Sequence, residues 1–189
     1  MSTDKPAIEN KVPLLNRATK VFLLRLVALV AVWESLYYFV LKPIRIPDRA
    51  LTNFLTVFVT AGINFFTPGS SDLTWVENTR LPITHLMENG KTVFLIADIC
   101  NGLDLYMIFL GLIWLLPSPV KRKLIFSLAG IAAIFVANVI RCISLYWIYK
   151  NHPSMFEFNH HYLFTILMYL LIFYGWVLFT KKAIYDKVN

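Results

Sequence analysis

The chain has 189 residues, of which 58% are hydrophobic and only 15% are charged, and its mean hydropathy is +0.61. This composition excludes an ordinary soluble domain and indicates an integral membrane protein. The net charge of +7 does not indicate a nucleic-acid partner, because Lys and Arg cluster beside apolar runs, as membrane orientation signals do. The two cysteines show no CxxC or paired Cys/His spacing, so we expect no metal and no cofactor.

Residues 1–20 are polar and basic, and we predict that they form a cytoplasmic N-terminus. The apolar run that follows is too long for a cleaved signal peptide and predicts a membrane anchor. Three further runs are long enough to cross about 30 Å of hydrocarbon. The four predicted spans are Val21–Leu41, Ile99–Leu116, Leu124–Tyr149 and Tyr162–Thr180.

A fifth apolar stretch, residues 51–66, carries a polar stripe on one helical face, formed by Asn53, Thr56, Thr60 and Asn64. This pattern predicts an amphipathic helix that lies in the membrane interface or packs on the bundle, with a fifth span as the alternative. With four spans, the basic residues at the N-terminus, at 121–123 and at 181–182 all lie in the cytoplasm, which the positive-inside rule favours.

In this topology, residues 42–98 form one extracytoplasmic segment and residues 99–180 form the helices that carry the site, within a single membrane domain covering 1–189. Asn89-Gly90 lies between two strand-like runs, which predicts a type I′ hairpin leading into the helix of Cys100. The predicted fold is an all-α polytopic membrane protein with about four transmembrane helices, an interfacial amphipathic helix and a small extracytoplasmic hairpin.

Reactive side chains from three spans are predicted to meet on the outer side of the membrane. Cys100 begins the second span, Arg141 lies about 13 Å deep when counted from Lys150, and His160 and His161 open the fourth span. An imidazole or guanidinium favours the thiolate at neutral pH, and the imidazole can also protonate a leaving amine. A guanidinium can bind a tetrahedral oxyanion, so the set suits acyl transfer.

Five other polar or glycine positions are expected to support this site. Asn101 and Gly102 let the backbone approach a substrate or bend into the helix. Asn138 lies one turn before Arg141 and is expected to orient it or to bond across helices. Asp104 favours the helix N-terminus, whereas Asp98 either tunes the pocket or is solvated in the hairpin.

The order Cys100-Asn101-Gly102-Leu103, then Asn138-x-x-Arg141, then a His opening the last span resembles the exosortase and archaeosortase family of membrane-embedded transpeptidases. The resemblance covers roughly residues 81–180. It implies that Cys100 is the nucleophile, that Arg141 stabilises the transition state and that His160 is the acid/base, with His161 as the alternative imidazole.

The same resemblance implies a membrane-anchored protein substrate with a C-terminal sorting signal, and an acceptor that the sequence does not identify. It also implies a multi-pass protein of the bacterial inner (plasma) membrane, in contact with membrane lipids, whose active site faces the extracytoplasmic side. Many bacterial members read Cys-Ser-Gly where this chain has Cys100-Asn101-Gly102, and the larger members carry more spans. The compact size resembles exosortase-like proteins of the Bacteroidetes, some of them associated with exopolysaccharide systems, which leaves the recognition motif open.

A non-catalytic alternative uses the same residues. In a membrane scaffold or assembly factor for surface polysaccharide or protein export, Cys100 is a packed hydrophobe, Arg141 reaches lipid headgroups and the His pair is interfacial. Cys142 points about 100° away from Arg141 around the helix, so we predict that it packs, with a Cys100–Cys142 disulfide as the alternative. A thiol oxidoreductase is disfavoured because there is no CxxC pair, and a lipid S-acyltransferase because there is no Asp-His-His-Cys run.

Overall fold

The computed structural model describes residues 17–67 and 73–185, so most of the predicted cytoplasmic N-terminus lies outside the described residues. The helices are α1 (Arg17–Leu36), α2 (Lys42–Ile44), α3 (Ile46–Phe66), α4 (Leu103–Leu115), α5 (Val120–Asn151), α6 (Phe156–Phe158) and α7 (Phe164–Tyr185). The strands are β1 (Thr74–Glu77), β2 (Ile83–Glu88) and β3 (Lys91–Ala97). Two π-helical turns (Tyr37–Leu41, Asn159–Leu163) and two 3-10 turns (Asp98–Cys100, Pro153–Met155) complete the order.

Three helical stretches of the described chain are long and apolar enough to cross a membrane, namely Thr19–Ile44, Val120–Asn151 and Pro153–Lys181. They contain the first, third and fourth predicted spans. The second predicted span, Ile99–Leu116, is shorter in the structure, since α4 has 13 residues and is about 20 Å long. The helix begins only at Leu103 because Gly102 takes a left-handed φ of 85°. The fold is a polytopic membrane protein with a short apolar helix and a small sheet.

The amphipathic helix α3 is longer than the predicted 51–66 segment and packs against both α5 and the sheet. Its polar stripe faces partners rather than water. Asn53 Nδ2 donates to Glu77 Oε2 of β1 at 2.9 Å. Asn64 bonds both backbone groups of Leu73, at 3.0 Å to the carbonyl and 2.9 Å from the amide. These bonds explain the stripe and confirm the prediction that this helix packs on the bundle.

The predicted hairpin is present and is part of a larger sheet than the sequence predicted. β2 and β3 pair antiparallel, and the turn residues Asn89 and Gly90 have φ values of 51° and 75°. Positive φ at both positions is what a type I′ turn requires. β1 adds a third strand in the order β1-β2-β3. It was not predicted, because four residues of mixed polarity show no distinct alternation.

Two buried clusters meet along α5. One lies between α3, the sheet and the C-terminal half of α5, and it includes Leu55, Leu86, Phe94, Leu145 and Tyr146. The other joins α4, α5 and α7, and it includes Tyr106, Phe109, Ile134, Met168 and Ile172. The segment of α5 between Ile134 and Cys142 therefore connects the two packed layers, and the candidate site lies there.

Candidate active site

The turn that carries Cys100 is fixed by its own backbone and by one buried amide. The N–H of Asn101 bonds the carbonyl of Asp98 at 3.1 Å, which closes the 3-10 turn. Asn138, whose side chain is 0% exposed, donates from Nδ2 to the carbonyl of Cys100 at 2.9 Å. A Cβ on Gly102 would lie 3.3 Å from that same Nδ2. Glycine is thus required here by the positive φ and favoured by the close approach of the amide.

Cys100 and His160 are brought together from distant parts of the chain. Cys100 Sγ lies 3.6 Å from His160 Nε2, within hydrogen-bonding reach for a sulfur atom. His160 belongs to the π-helical turn Asn159–Leu163, a local widening of the helix that is frequent at functional sites. Its ring stacks on Phe156 with centroids 5.5 Å apart, and Phe156 packs on Phe94 of β3. The sheet therefore helps to hold the imidazole in place.

His161 is directed elsewhere. Its Nε2 lies 3.0 Å from Glu157 Oε2, and the two side chains are 63% and 77% exposed. An ion pair so exposed contributes little to stability. Of the two adjacent histidines, the structure places His160 beside the cysteine and His161 on the exposed side of the helix.

Arg141 supplies positive charge close to the thiol, because its guanidinium acts electrostatically on Cys100. Its Nε is buried and has no hydrogen-bond partner among the described residues. Arg141 lies within Val120–Asn151, a stretch long and apolar enough to cross a membrane, and its depth of about 13 Å, counted from Lys150, stays a prediction. Leu145 and Tyr146, which lie between Arg141 and Lys150, are buried against the sheet.

Burial disfavours the thiolate form of Cys100. Burial raises the pKa of Cys100, and the Arg141 charge and the backbone amide of Ala97 lower it only in part. The sequence indicated a nearby cation that lowers this pKa, and Arg141 has that effect. It did not indicate the larger effect of burial, because spacing along the chain does not show desolvation. A buried thiol needs a base that removes its proton as it reacts, and His160 Nε2 occupies that position.

A buried polar network behind the turn was missed by the sequence analysis. Asp48, which is 2% exposed, accepts a hydrogen bond from Asn101 Nδ2 at 2.9 Å. Asp98 is also buried, accepting from Arg45 Nε at 2.8 Å and from Thr52 Oγ1 at 2.9 Å. The interpretation of Asp98 as a solvated carboxylate is therefore wrong. Arg45, Asp48 and Thr52, at and just before the start of α3, were the available signal in the sequence. Their partners lie 46 to 53 positions away in the chain.

Asp104 faces α1 rather than the thiol. Its Oδ1 accepts a hydrogen bond from Trp33 Nε1 at 3.3 Å, and its side chain is exposed. It lines a cavity of about 520 Å³ between α1, α3 and the turn, together with Glu34, Tyr37 and Asp98. Asp104 therefore connects α1 to the start of α4.

Both cysteines are free, so the alternative of a Cys100–Cys142 disulfide is wrong. Cys142 is 3% exposed and belongs to the cluster beneath the sheet, which confirms the prediction that it packs. Among residues 17–67 and 73–185, no group of three or more His, Cys, Asp or Glu side chains is arranged to hold a metal ion.

A family model described as transmembrane exosortase (Exosortase_EpsH) matches residues 16–181, which include Cys100, Arg141 and His160. No curated protein and no solved structure matches the chain. The matched family consists of membrane-embedded sorting transpeptidases that act on membrane-anchored substrates with sorting signals. Since the match covers most of the sequence and the fold is polytopic, this chain belongs to the transmembrane exosortase family.

Proposed function

We propose that this protein is a cysteine transpeptidase that cleaves the C-terminal sorting signal of membrane-anchored secreted proteins and transfers the product to an acceptor. The observation that carries the proposal is the 3.6 Å distance between Cys100 Sγ and His160 Nε2. Family membership supports the reaction class, and the Arg141 charge lowers the pKa of the Cys100 thiol.

In the first half-reaction, the Cys100 sulfur attacks the carbonyl carbon of the scissile peptide bond while its proton passes to His160 Nε2. The new C–S bond moves an electron pair onto the carbonyl oxygen. The Arg141 guanidinium stabilises this oxyanion through its positive charge. The C–N bond then breaks, and the leaving amine takes the proton from His160.

In the second half-reaction, an acceptor attacks the thioester carbon. His160 takes a proton from the acceptor, the tetrahedral oxyanion forms again beside Arg141, and the C–S bond breaks. The sulfur recovers its proton from His160, which restores the thiol. An amine acceptor gives ligation, whereas water gives proteolysis.

We further propose that the site faces the extracytoplasmic side of a bacterial plasma membrane. Support comes from the basic residues Lys121, Arg122 and Lys123, which follow α4 and so lie at the opposite end of that helix from Cys100. Basic residues accumulate on the cytoplasmic side of membrane proteins. The sheet and the Cys100 turn would then lie outside.

The proposal is tested by mass spectrometry of the protein co-expressed with candidate precursors, each ending in a short motif, one transmembrane helix and a basic tail. Wild type is compared with Cys100→Ala, Arg141→Ala and the matched control Cys142→Ala. We expect precursor cleavage, or an acyl fragment on Cys100, in wild type and in Cys142→Ala only. Cleavage that persists in Cys100→Ala would refute the proposed nucleophile, and an intact precursor in every sample would favour the scaffold alternative.

A further inference from the structure

One edge of the sheet is open and leads to the reactive sulfur. β3 is at an edge in the strand order β1-β2-β3, and no other described strand pairs with it. The N–H of Asp98 bonds the carbonyl of Pro82 at 2.9 Å, so the backbone groups of Asp98 face β2. Ile83, opposite Ala97, instead accepts from the N–H of Asn78 at 3.1 Å, away from β3.

The direction of each remaining backbone group in β3 follows from this pattern. Facing residues of an antiparallel pair alternate between hydrogen-bonded and non-hydrogen-bonded. Ala97 and Leu95 are therefore non-hydrogen-bonded positions of the β2–β3 ladder, and their N–H and C=O groups point to the open edge. Leu95 is 49% exposed, unlike its neighbours Phe94 and Ile96, which are buried.

The Cys100 sulfur lies at the same edge. The 3-10 turn Asp98–Cys100 directly follows Ala97, the last residue of β3. The backbone amide of Ala97, which points away from β2, lowers the pKa of the thiol. His160 approaches the sulfur as well, at 3.6 Å. At the other edge of the sheet, β1 ends at Glu77. The Glu77 carboxylate accepts a hydrogen bond from Asn53 and pairs with Arg49, both of α3. Of the two edges of the described sheet, the β3 edge is the one that continues into the Cys100 turn.

We propose that the open edge of β3 binds an extended segment of the precursor as an additional strand, which delivers the scissile carbonyl to Cys100. This inference rests on the proposed function and names what the site recognises, an extended backbone with free N–H groups. Addition of a strand to an open edge is a recurrent mode of peptide binding, in which main-chain hydrogen bonds supply the affinity. A proline in the precursor at an edge-facing position would remove one of these bonds.

The test uses the full chain in detergent and two probes that alkylate sulfur. The peptide probe is acetyl-tetraalanine chloromethyl ketone, from which the Cys100 sulfur displaces chloride, and the non-peptide probe is iodoacetamide, from which it displaces iodide. Peptide mapping gives the alkylation rate at Cys100. The peptide is also made with a single N-methyl group at each amide in turn. We expect N-methylation to slow alkylation about tenfold at every second amide, the loss expected for one or two hydrogen bonds.

Two variants of the protein complete the design. Leu95→Pro removes an edge-facing N–H, which is not part of the β2–β3 ladder, and Leu95→Ala removes the same side chain but keeps the N–H. Leu95→Pro should react with the unmethylated peptide about tenfold more slowly than Leu95→Ala, which keeps the N–H. The two variants should react with iodoacetamide at the same rate. If Leu95→Pro does not fold, the N-methylated peptides still test strand addition, because they are used with the wild-type protein.

Two results would overturn the inference: N-methylation that slows no amide or slows consecutive amides equally, or equal peptide rates for folded Leu95→Pro and Leu95→Ala. Precursor cleavage by the same wild-type protein is measured in parallel. Cleavage without the alternating pattern would disprove strand addition alone. The alternating pattern without cleavage would disprove the proposed function and leave peptide binding at the edge intact.

Discussion

Asn138 Nδ2 donates a hydrogen bond to the backbone carbonyl of Cys100 at 2.9 Å, although the two residues are 38 positions apart in the chain. The bond joins the turn of the nucleophile to α5, where Arg141 follows one turn later. The position of the thiol and the position of the guanidinium are therefore coupled through one buried amide.

Asn138→Ala should lower the free energy of unfolding by about 1–3 kcal/mol, because the Cys100 carbonyl loses its buried donor. The matched control is Asn151→Ala, since Asn151 makes a similar bond to the Trp147 carbonyl at 2.9 Å at the exposed end of the same helix. Thermal unfolding in detergent measures both. Equal destabilisation by the two substitutions would contradict the special role of the buried bond.

Gly102→Ala should destabilise the turn by more than Gly90→Ala. Both glycines have positive φ, 85° and 75°, so both substitutions carry a similar backbone cost of about 1 kcal/mol. Only the Cβ at position 102 meets a neighbour, Asn138 Nδ2 at 3.3 Å, whereas the Cβ at position 90 meets nothing within 4 Å. The difference between the losses of unfolding free energy in the two variants measures the cost of the contact with Asn138. Equal losses would show that the Asn138 side chain moves aside without an energetic cost.

His160→Ala should lower precursor cleavage by about 100-fold or more, the usual effect of losing a general acid/base. His161→Ala should change it little, because His161 pairs with Glu157 on an exposed surface. Initial rates of cleavage with matched protein amounts measure the effect. The reverse order of the two variants would assign the acid/base role to His161 instead.

Alkylation of Cys100 by iodoacetamide should increase with pH to values above the ordinary thiol pKa of about 8.5, because burial raises the pKa of Cys100. The Arg141 charge lowers this pKa, so Arg141→Gln should shift the alkylation profile to still higher pH. Arg141→Lys keeps a positive charge and should shift it less. A profile in Arg141→Gln that moves to lower pH, or does not move, would show that Arg141 does not stabilise the thiolate.

The proposed orientation predicts which cysteines a membrane-impermeant maleimide reaches in intact cells. In a chain without native cysteines (Cys100→Ala, Cys142→Ala), Lys91→Cys on the exposed hairpin should be labelled from outside. Lys121→Cys at the start of α5 should be labelled only after the membrane is opened. Labelling of Lys121→Cys alone in intact cells would reverse the orientation.

Several features could be predicted because their signals are local. The type I′ hairpin was predicted because Asn89-Gly90 accepts positive φ at both turn positions, which few residue pairs do. Three of the four predicted spans follow from length and hydropathy alone. The length of the second predicted span, Ile99–Leu116, was overestimated because a hydropathy count does not register a backbone change such as the left-handed φ of Gly102.

The sequence by itself determined the membrane class, the family and the identity of Cys100, Arg141 and His160 as candidates, since each is a chemically unusual residue in an apolar chain. Only the tertiary structure distinguished His160 from His161, because adjacent residues on a helix point in different directions and their partners come from elsewhere. Burial of the thiol, the support of Asp98 by Arg45 and Thr52, and the open edge of β3 likewise depend on contacts between distant segments. Desolvation and hydrogen-bond pairing are properties of these three-dimensional surroundings, which no spacing along the chain records.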